Sequence, residues 1–141
     1  MSEAQKEVVM FIGPYCDIGK GCKFGKNVTF QGRNRTGDEC FFGDNVTIKY
    51  GTILTHKVTI GENTFIGPNV ITLGSDVNRK TTHGTIIGQN CFIGAGVIIN
   101  PGVKICNNVT VGAMSFVTKD ITEEGTYVGV PARNINCKVK T

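Results

Sequence analysis

The feature that most limits what this chain can become is a period of six. Counting in sixes from Ile12, an apolar side chain returns at Ile18, Phe24, Phe30, Phe42, Ile48, Leu54, Ile60 and Ile66, with only Thr36 out of character. A second run on the same period holds Ile87, Ile93, Ile99, Ile105, Val111 and Val117. Strands repeat every two residues and helices every 3.6, so neither produces this spacing as a long element. A three-sided solenoid does. Each unit of six is then one short flat strand and a corner, and three units close a coil of about 18 residues. Small residues suit backbone that turns sharply, and glycine follows the apolar place at Gly13, Gly19, Gly37, Gly43, Gly61, Gly88 and Gly94, among others.

The fourth place of each unit holds compact side chains, as a narrow interior requires. It runs through Cys16, Cys22, Val28, Asn34, Cys40, Val46, Thr52, Val58, Thr64 and Val70, then through Cys91, Val97, Val103 and Val109. Four of the six cysteines therefore read as buried apolar filler, not as metal ligands or redox groups. Cys106 and Cys137 lie off that row, and nothing in the pattern gives either a function.

The two apolar runs are out of phase by three residues, so the segment between them is not regular coil. An extruded loop is expected over about Leu73 to Thr85, rich in polar residues and carrying His83. Loops on rigid scaffolds are where binding groups are commonly carried. After Thr122 the repeat stops, and residues of about 123–141 are expected to cap the end of the coil, which otherwise exposes strand edges.

At 141 residues the chain fits one all-β domain, 1–141, because each coil buries its apolar row on the next. The formal charge of +4 comes with no basic run and no interleaved aromatics, which argues against a nucleic-acid groove. The apolar stretch Val8 to Ile12 is too short for a secretion signal or a membrane span, so a soluble, cytoplasmic, reduced setting is expected.

Three stretches beyond the repeat carry a resemblance. They are Ile93-Gly94-Ala95-Gly96 with Asn100-Pro101-Gly102-Val103, then Val117-Thr118-Lys119-Asp120-Ile121, and last Gly129-Val130-Pro131-Ala132-Arg133. With the repeat, they resemble the hexapeptide-repeat acyltransferases, in the sugar O- or N-acetyltransferase or serine-acetyltransferase-like branch. That resemblance implies a left-handed parallel β-helix, acetyl-CoA as acyl donor, no metal, and a homotrimer with sites between subunits. The handedness comes from the family, since crossover rules favour the opposite hand. It further implies backbone near Gly94, Ala95, Ala113 and Met114 for the pantetheine arm, with Lys119 and Arg133 near the nucleotide phosphates, where charge-assisted contacts are strong.

Acyl transfer to a hydroxyl or amine needs a base, and histidine is best poised for that near neutral pH. His56, at an outward corner, sits in a segment similar to the one carrying the family's catalytic histidine and is the expected base. His83, in the loop, is expected to help bind the acceptor. By a strict count of 18, Asp38 lies beneath His56 and Gly74 above it. Asp38 is expected to orient the imidazole through its carboxylate, with Glu39 as runner-up, and Gly74 to offer its N–H to the thioester oxygen. The family's own acid positions are occupied here by Phe41 and Lys57. A small single-domain member implies a sugar acceptor, expected to be nucleotide-linked and destined for polysaccharide. Serine or a xenobiotic acceptor, and a non-catalytic trimeric scaffold, are the alternatives. A zinc hydratase of the same shape needs three histidines where this chain has two.

Overall fold

The structure is a computed structural model that describes residues 10–75, 77–78 and 83–135. Cys137, the rest of the tail and residues 76 and 79–82 of the loop lie outside these.

Between Lys23 and Val117 each unit of six outside the loop forms one two- or three-residue strand, and successive strands go to successive faces of a triangular prism. The first face stacks Met10–Ile12, Val28–Phe30, Thr47–Ile48, Phe65–Ile66, Phe92–Ile93, Val109–Val111, Gly125–Val128 and Arg133–Asn134. The second stacks Arg35–Thr36, Ile53–Leu54, Ile71–Thr72, Ile98–Ile99 and Phe116–Val117, and the third Lys23–Phe24, Phe41–Phe42, Thr59–Ile60, Ile86–Ile87 and Lys104–Ile105. All pairings between these strands are parallel except the last on the first face, where Arg133–Asn134 folds back on Gly125–Val128. The result is a left-handed parallel β-helix of about six turns.

Inward rows behave as the period demands. Phe30, Phe42, Ile48, Ile60, Ile66, Ile93 and Ile99 are fully enclosed, each worth about 1.5–3 kcal/mol of burial. Even the misfit Thr36 is buried, its hydroxyl accepting the Gly19 N–H at 3.1 Å. Buried Asn34 donates to the carbonyls of Lys49 and Thr52, and Thr52 and Thr64 donate to those of Gly67 and Gly88, so interior polar atoms are matched coil to coil. Among the described residues, the Thr85 hydroxyl is the buried side-chain oxygen without a partner.

Cys40 and Cys91 are buried as expected, whereas Cys16 and Cys22 are only half-buried because little of the coil lies beneath them. Desolvation pushes the Cys40 thiol up from 9.0 to about 11, and the Cys91 thiol also rises for the same reason. The described cysteines are free.

The loop appears in the register. Phe41 pairs with Thr59 at an offset of 18 residues, but Thr59 pairs with Ile86 at an offset of 27, so nine extra residues are extruded. That is one unit and a half, which accounts for the phase change of three. Among the described residues, no helix is long and apolar enough to cross a membrane.

Candidate active site

A concavity of about 490 Å³ lies along the corner between the second and third faces, where the loop leaves and re-enters. Asp17, Arg35, Gly37 and Asp38 line its lower part, Thr55 and His56 its middle, and Gly74, Ser75, His83 and Gly84 its upper edge. His56 is exposed at the turn that follows Ile53–Leu54. The turn beneath it is tight: a Cβ on Gly37 would sit 2.5 Å from the His56 nitrogen, so only glycine lets the two corners stack at this spacing.

What holds the imidazole differs from the expectation. The Asp38 carboxylate does not meet it, because its Oδ1 accepts the Lys20 N–H at 2.9 Å one coil further down. The group on the ring is the backbone amide of Asp38, whose N–H donates to His56 Nδ1 at 2.8 Å. The same device recurs elsewhere: Asp44 accepts from Lys26 N–H, and Asn107 from Gln89 N–H. His56 therefore fills a capping place that other coils give to Asp or Asn. A chemical consequence follows, since a neutral ring whose Nδ1 accepts a bond carries its proton on Nε2.

Above His56 the strict count of 18 gives way to the insertion. Counted from the second face, Gly74 stands above His56; counted back from Thr59↔Ile86 on the third face, His83 does. Both are there, as the two ends of the loop. A Cβ on Gly84 would fall 1.8 Å from the Lys57 carbonyl oxygen and 2.8 Å from that of His56, so the returning chain lies directly on the Lys57 carbonyl. Thr55 and Thr72 hydroxyls pair at 3.2 Å beside this corner.

The expected coenzyme residues fall in two other places. Gly94, Ala95, Ala113 and Met114 stack at the corner between the first and second faces, with Ala113 and Met114 exposed and Met114 folded over Gly96. Lys119 and Arg133 share a smaller cleft of about 210 Å³ with Tyr127 and Pro131, near the top of the corner column that carries His56. One chain thus brings His56, Asp38, Gly74 and His83 together, but keeps the pantetheine candidates on the opposite edge of the second face. Arg35 and Asp17, whose side chains pair at 3.7 Å, have no place in the repeat that distinguishes them and emerge only from the stacking. Among the described residues, no three His, Cys, Asp or Glu side chains group as metal ligands do.

The sequence pattern of the bacterial transferase hexapeptide family, six repeats, matches residues 39–74 and 84–119, on either side of the loop. Across 145 aligned residues the chain is also 34% identical to the galactoside O-acetyltransferase of Escherichia coli (strain K12), covering 95% of this chain and 70% of that relative. The chain belongs to the hexapeptide transferase family. Among solved structures, PerB from Caulobacter crescentus, in complex with CoA and GDP-perosamine, superimposes with a TM-score of 0.80 at 24% identity over 90% of this chain. This chain spans 57% of that one. A maltose O-acetyltransferase from Clostridium difficile 630 shares 32% identity, with a TM-score of 0.58 over 84% of this chain and 67% of its own.

Proposed function

We propose that this hexapeptide transferase moves an acetyl group from acetyl-CoA to a hydroxyl or amino group of a sugar, with His56 as general base. The observation that carries the reading is the exposed imidazole over a cleft at the one corner where the coil is interrupted. The names of the relatives support it: galactoside and maltose O-acetyltransferases by sequence, and a fold shared with a protein that holds CoA and a GDP-linked sugar. A nucleotide-linked sugar for polysaccharide synthesis is the acceptor this reading prefers. Asp17, Arg35 and Asp38 at the cleft's lower end are the kind of acceptors and donors that hydroxyl groups or phosphates need. A cytoplasmic setting completes it, in keeping with free thiols.

In the reaction the acceptor O–H or N–H gives its proton to the imidazole as its oxygen or nitrogen bonds to the thioester carbon. His56 first turns over about its Cβ–Cγ bond and releases the Asp38 amide, at a cost of about 1 kcal/mol. Asp38 thus sets the resting tautomer of the ring through its backbone N–H and lets go of it for the transfer. Gly74 N–H is assigned to the thioester oxygen, where charge develops, and the C–S bond then breaks. No cysteine lines the cleft and the buried thiols are held protonated, which favours direct attack over an acyl-enzyme.

Acetyl-CoA is assigned to Gly94, Ala95, Ala113, Met114, Lys119 and Arg133, and His83 to the upper edge of the cleft that takes the acceptor. Because the pantetheine edge and the His56 edge bound opposite sides of the second face, a complete site needs two copies, the edge of one meeting the other edge of the next. Repeated head to tail, that contact closes a homotrimer. The second face suits the contact, as its outer row above Arg35, namely Ile53, Ile71, Ile98 and Phe116, is apolar, with Ile53 42% and Ile98 37% exposed.

The decisive experiment is thiol release from acetyl-CoA across nucleotide sugars, amino sugars, simple glycosides and serine. Sugar-dependent release with an acetylated sugar as product is expected. Absence of acetyl-CoA binding, or release with serine alone, refutes the proposal.

A further inference from the structure

We infer that His83 is a second catalytic residue, the proton donor to the departing coenzyme sulfur, in a reaction where His56 receives the acceptor's proton. This rests on the acetyl-transfer reading above and adds to it the source of the proton that the thiolate takes.

The loop's return is fixed where it matters. Thr59 N–H donates to the Thr85 carbonyl at 2.9 Å, and Ile86 and Ile87 pair in register with Thr59 and Ile60. Gly84, with no room for a Cβ, lies on the Lys57 carbonyl, next along the chain from His56. His83 is thereby set in the place directly above His56, one strand spacing of about 4.8 Å higher, and both histidines line the same cleft.

Direction along the prism assigns the two rings different partners. Every coenzyme candidate belongs to coils above His56, whereas Asp17, Arg35 and Asp38 belong to coils below it. The acceptor then enters from below and the thioester from above, so the sulfur, which stays attached to the coenzyme arm, lies on the His83 side. The acceptor's proton goes to His56 as the new bond to carbon forms. The tetrahedral oxyanion re-forms its C=O, the C–S bond breaks with its electron pair on sulfur, and the His83 imidazolium transfers its proton to that sulfur. His56 afterwards gives its proton to solvent and His83 regains one from solvent. The charged groups bordering the two rings are Asp17, Arg35 and Asp38 in the cleft, with the Glu39–Lys57 pair beside it at 4.0 Å.

The test compares wild type and His83→Gln with acetyl-CoA and with acetyl thioesters of an alkyl thiol, thiophenol and 4-nitrothiophenol, using one sugar acceptor. A thiolate that leaves easily needs no proton. The variant should lose about 10- to 100-fold in kcat with acetyl-CoA and the alkyl thioester, with acceptor KM unchanged, and the deficit should vanish for the nitrothiophenyl donor. An equal deficit with every donor, or a rise confined to acceptor KM, overturns the assignment and returns His83 to acceptor binding. If wild type transfers acetyl from none of these donors to any sugar, the parent reading fails instead, a result separable from the first two.

Discussion

Two corner columns run the length of the prism with the same backbone and different residues. Between the third and first faces, the left-handed place is Asn in coil after coil: Asn27, Asn45, Asn63, Asn90 and Asn108, with φ from 56° to 60°. Asparagine tolerates that conformation better than other side chains with a Cβ, and here the amides also chain together, Asn27 to Asn45 at 3.3 Å and Asn45 to Asn63 at 3.0 Å. Between the second and third faces the same place holds Gly21 and Gly102 towards the ends and, between them, Glu39 and Lys57 at φ 59° and 57°. These gain only a long, exposed ion pair at 4.0 Å. The first column is built for stability. The second gives up local comfort at the corner where the cleft, His56 and the loop sit, as functional sites tend to.

The sharpest way to break the comparison is at His56 itself. Asn serves as a cap at position 107, so His56→Asn should keep an acceptor for the Asp38 N–H and leave the melting temperature unchanged. Turnover should fall at least about a hundredfold, because an amide cannot take the proton. His56→Ala should lose the cap as well, lowering stability by about 0.5–1 kcal/mol in denaturant titration. Near-full activity in either variant removes His56 from the chemistry.

Next in size is the opposite column. Asn45→Ala should cost about 1–2 kcal/mol, from a Cβ residue forced left-handed and from the lost amide chain, while kcat stays at the wild-type value. A loss of activity there would mean that the two columns are not separable.

The buried thiols mark a third, pH-dependent effect in the core between them. Cys40 is raised from 9.0 to about 11 by burial, so the folded state keeps its proton where the unfolded chain releases it. Its contribution is fully present below pH 9 and is lost as pH rises from 9 through 11. Thermal melts should show a decline across that window that Cys40→Ala makes shallower. The smallest effect sharpens the comparison: Lys57→Asn should bring the site corner into line with the other column and stabilise by about 0.5 kcal/mol, with activity retained, as read by a shift in denaturant midpoint.

How much of this was legible beforehand differs from residue to residue. The period of six predicted the coil, and the three-residue phase change predicted an insertion whose edges at Leu73 and Thr85 are where the register breaks. His56 was legible as an outward corner, and its membership of the cleft followed. The Asp38 carboxylate was not, because a count of 18 says which residues are neighbours but not which atom of each faces the other. Position 38 was the right neighbour with the wrong group. The neighbour above His56 was not legible for a related reason, since the count of 18 holds only on the side of the loop that it starts on. The Gly37 and Gly84 contacts and the Arg35–Asp17 pair had no distinguishing signal among nineteen glycines and fifteen basic residues.

By itself, then, the order of amino acids determined a triangular coil, its inward and outward rows and the place of its interruption. Those depend on spacing along the chain, and spacing survives in one dimension. Only the folded molecule decided that a backbone amide holds the imidazole, that His83 lands above it, and that the pantetheine candidates stand on a different edge. Such relations are set by strand register and corner stacking between residues 18 to 27 positions apart, where one atom's direction, not the residue's identity, selects the partner.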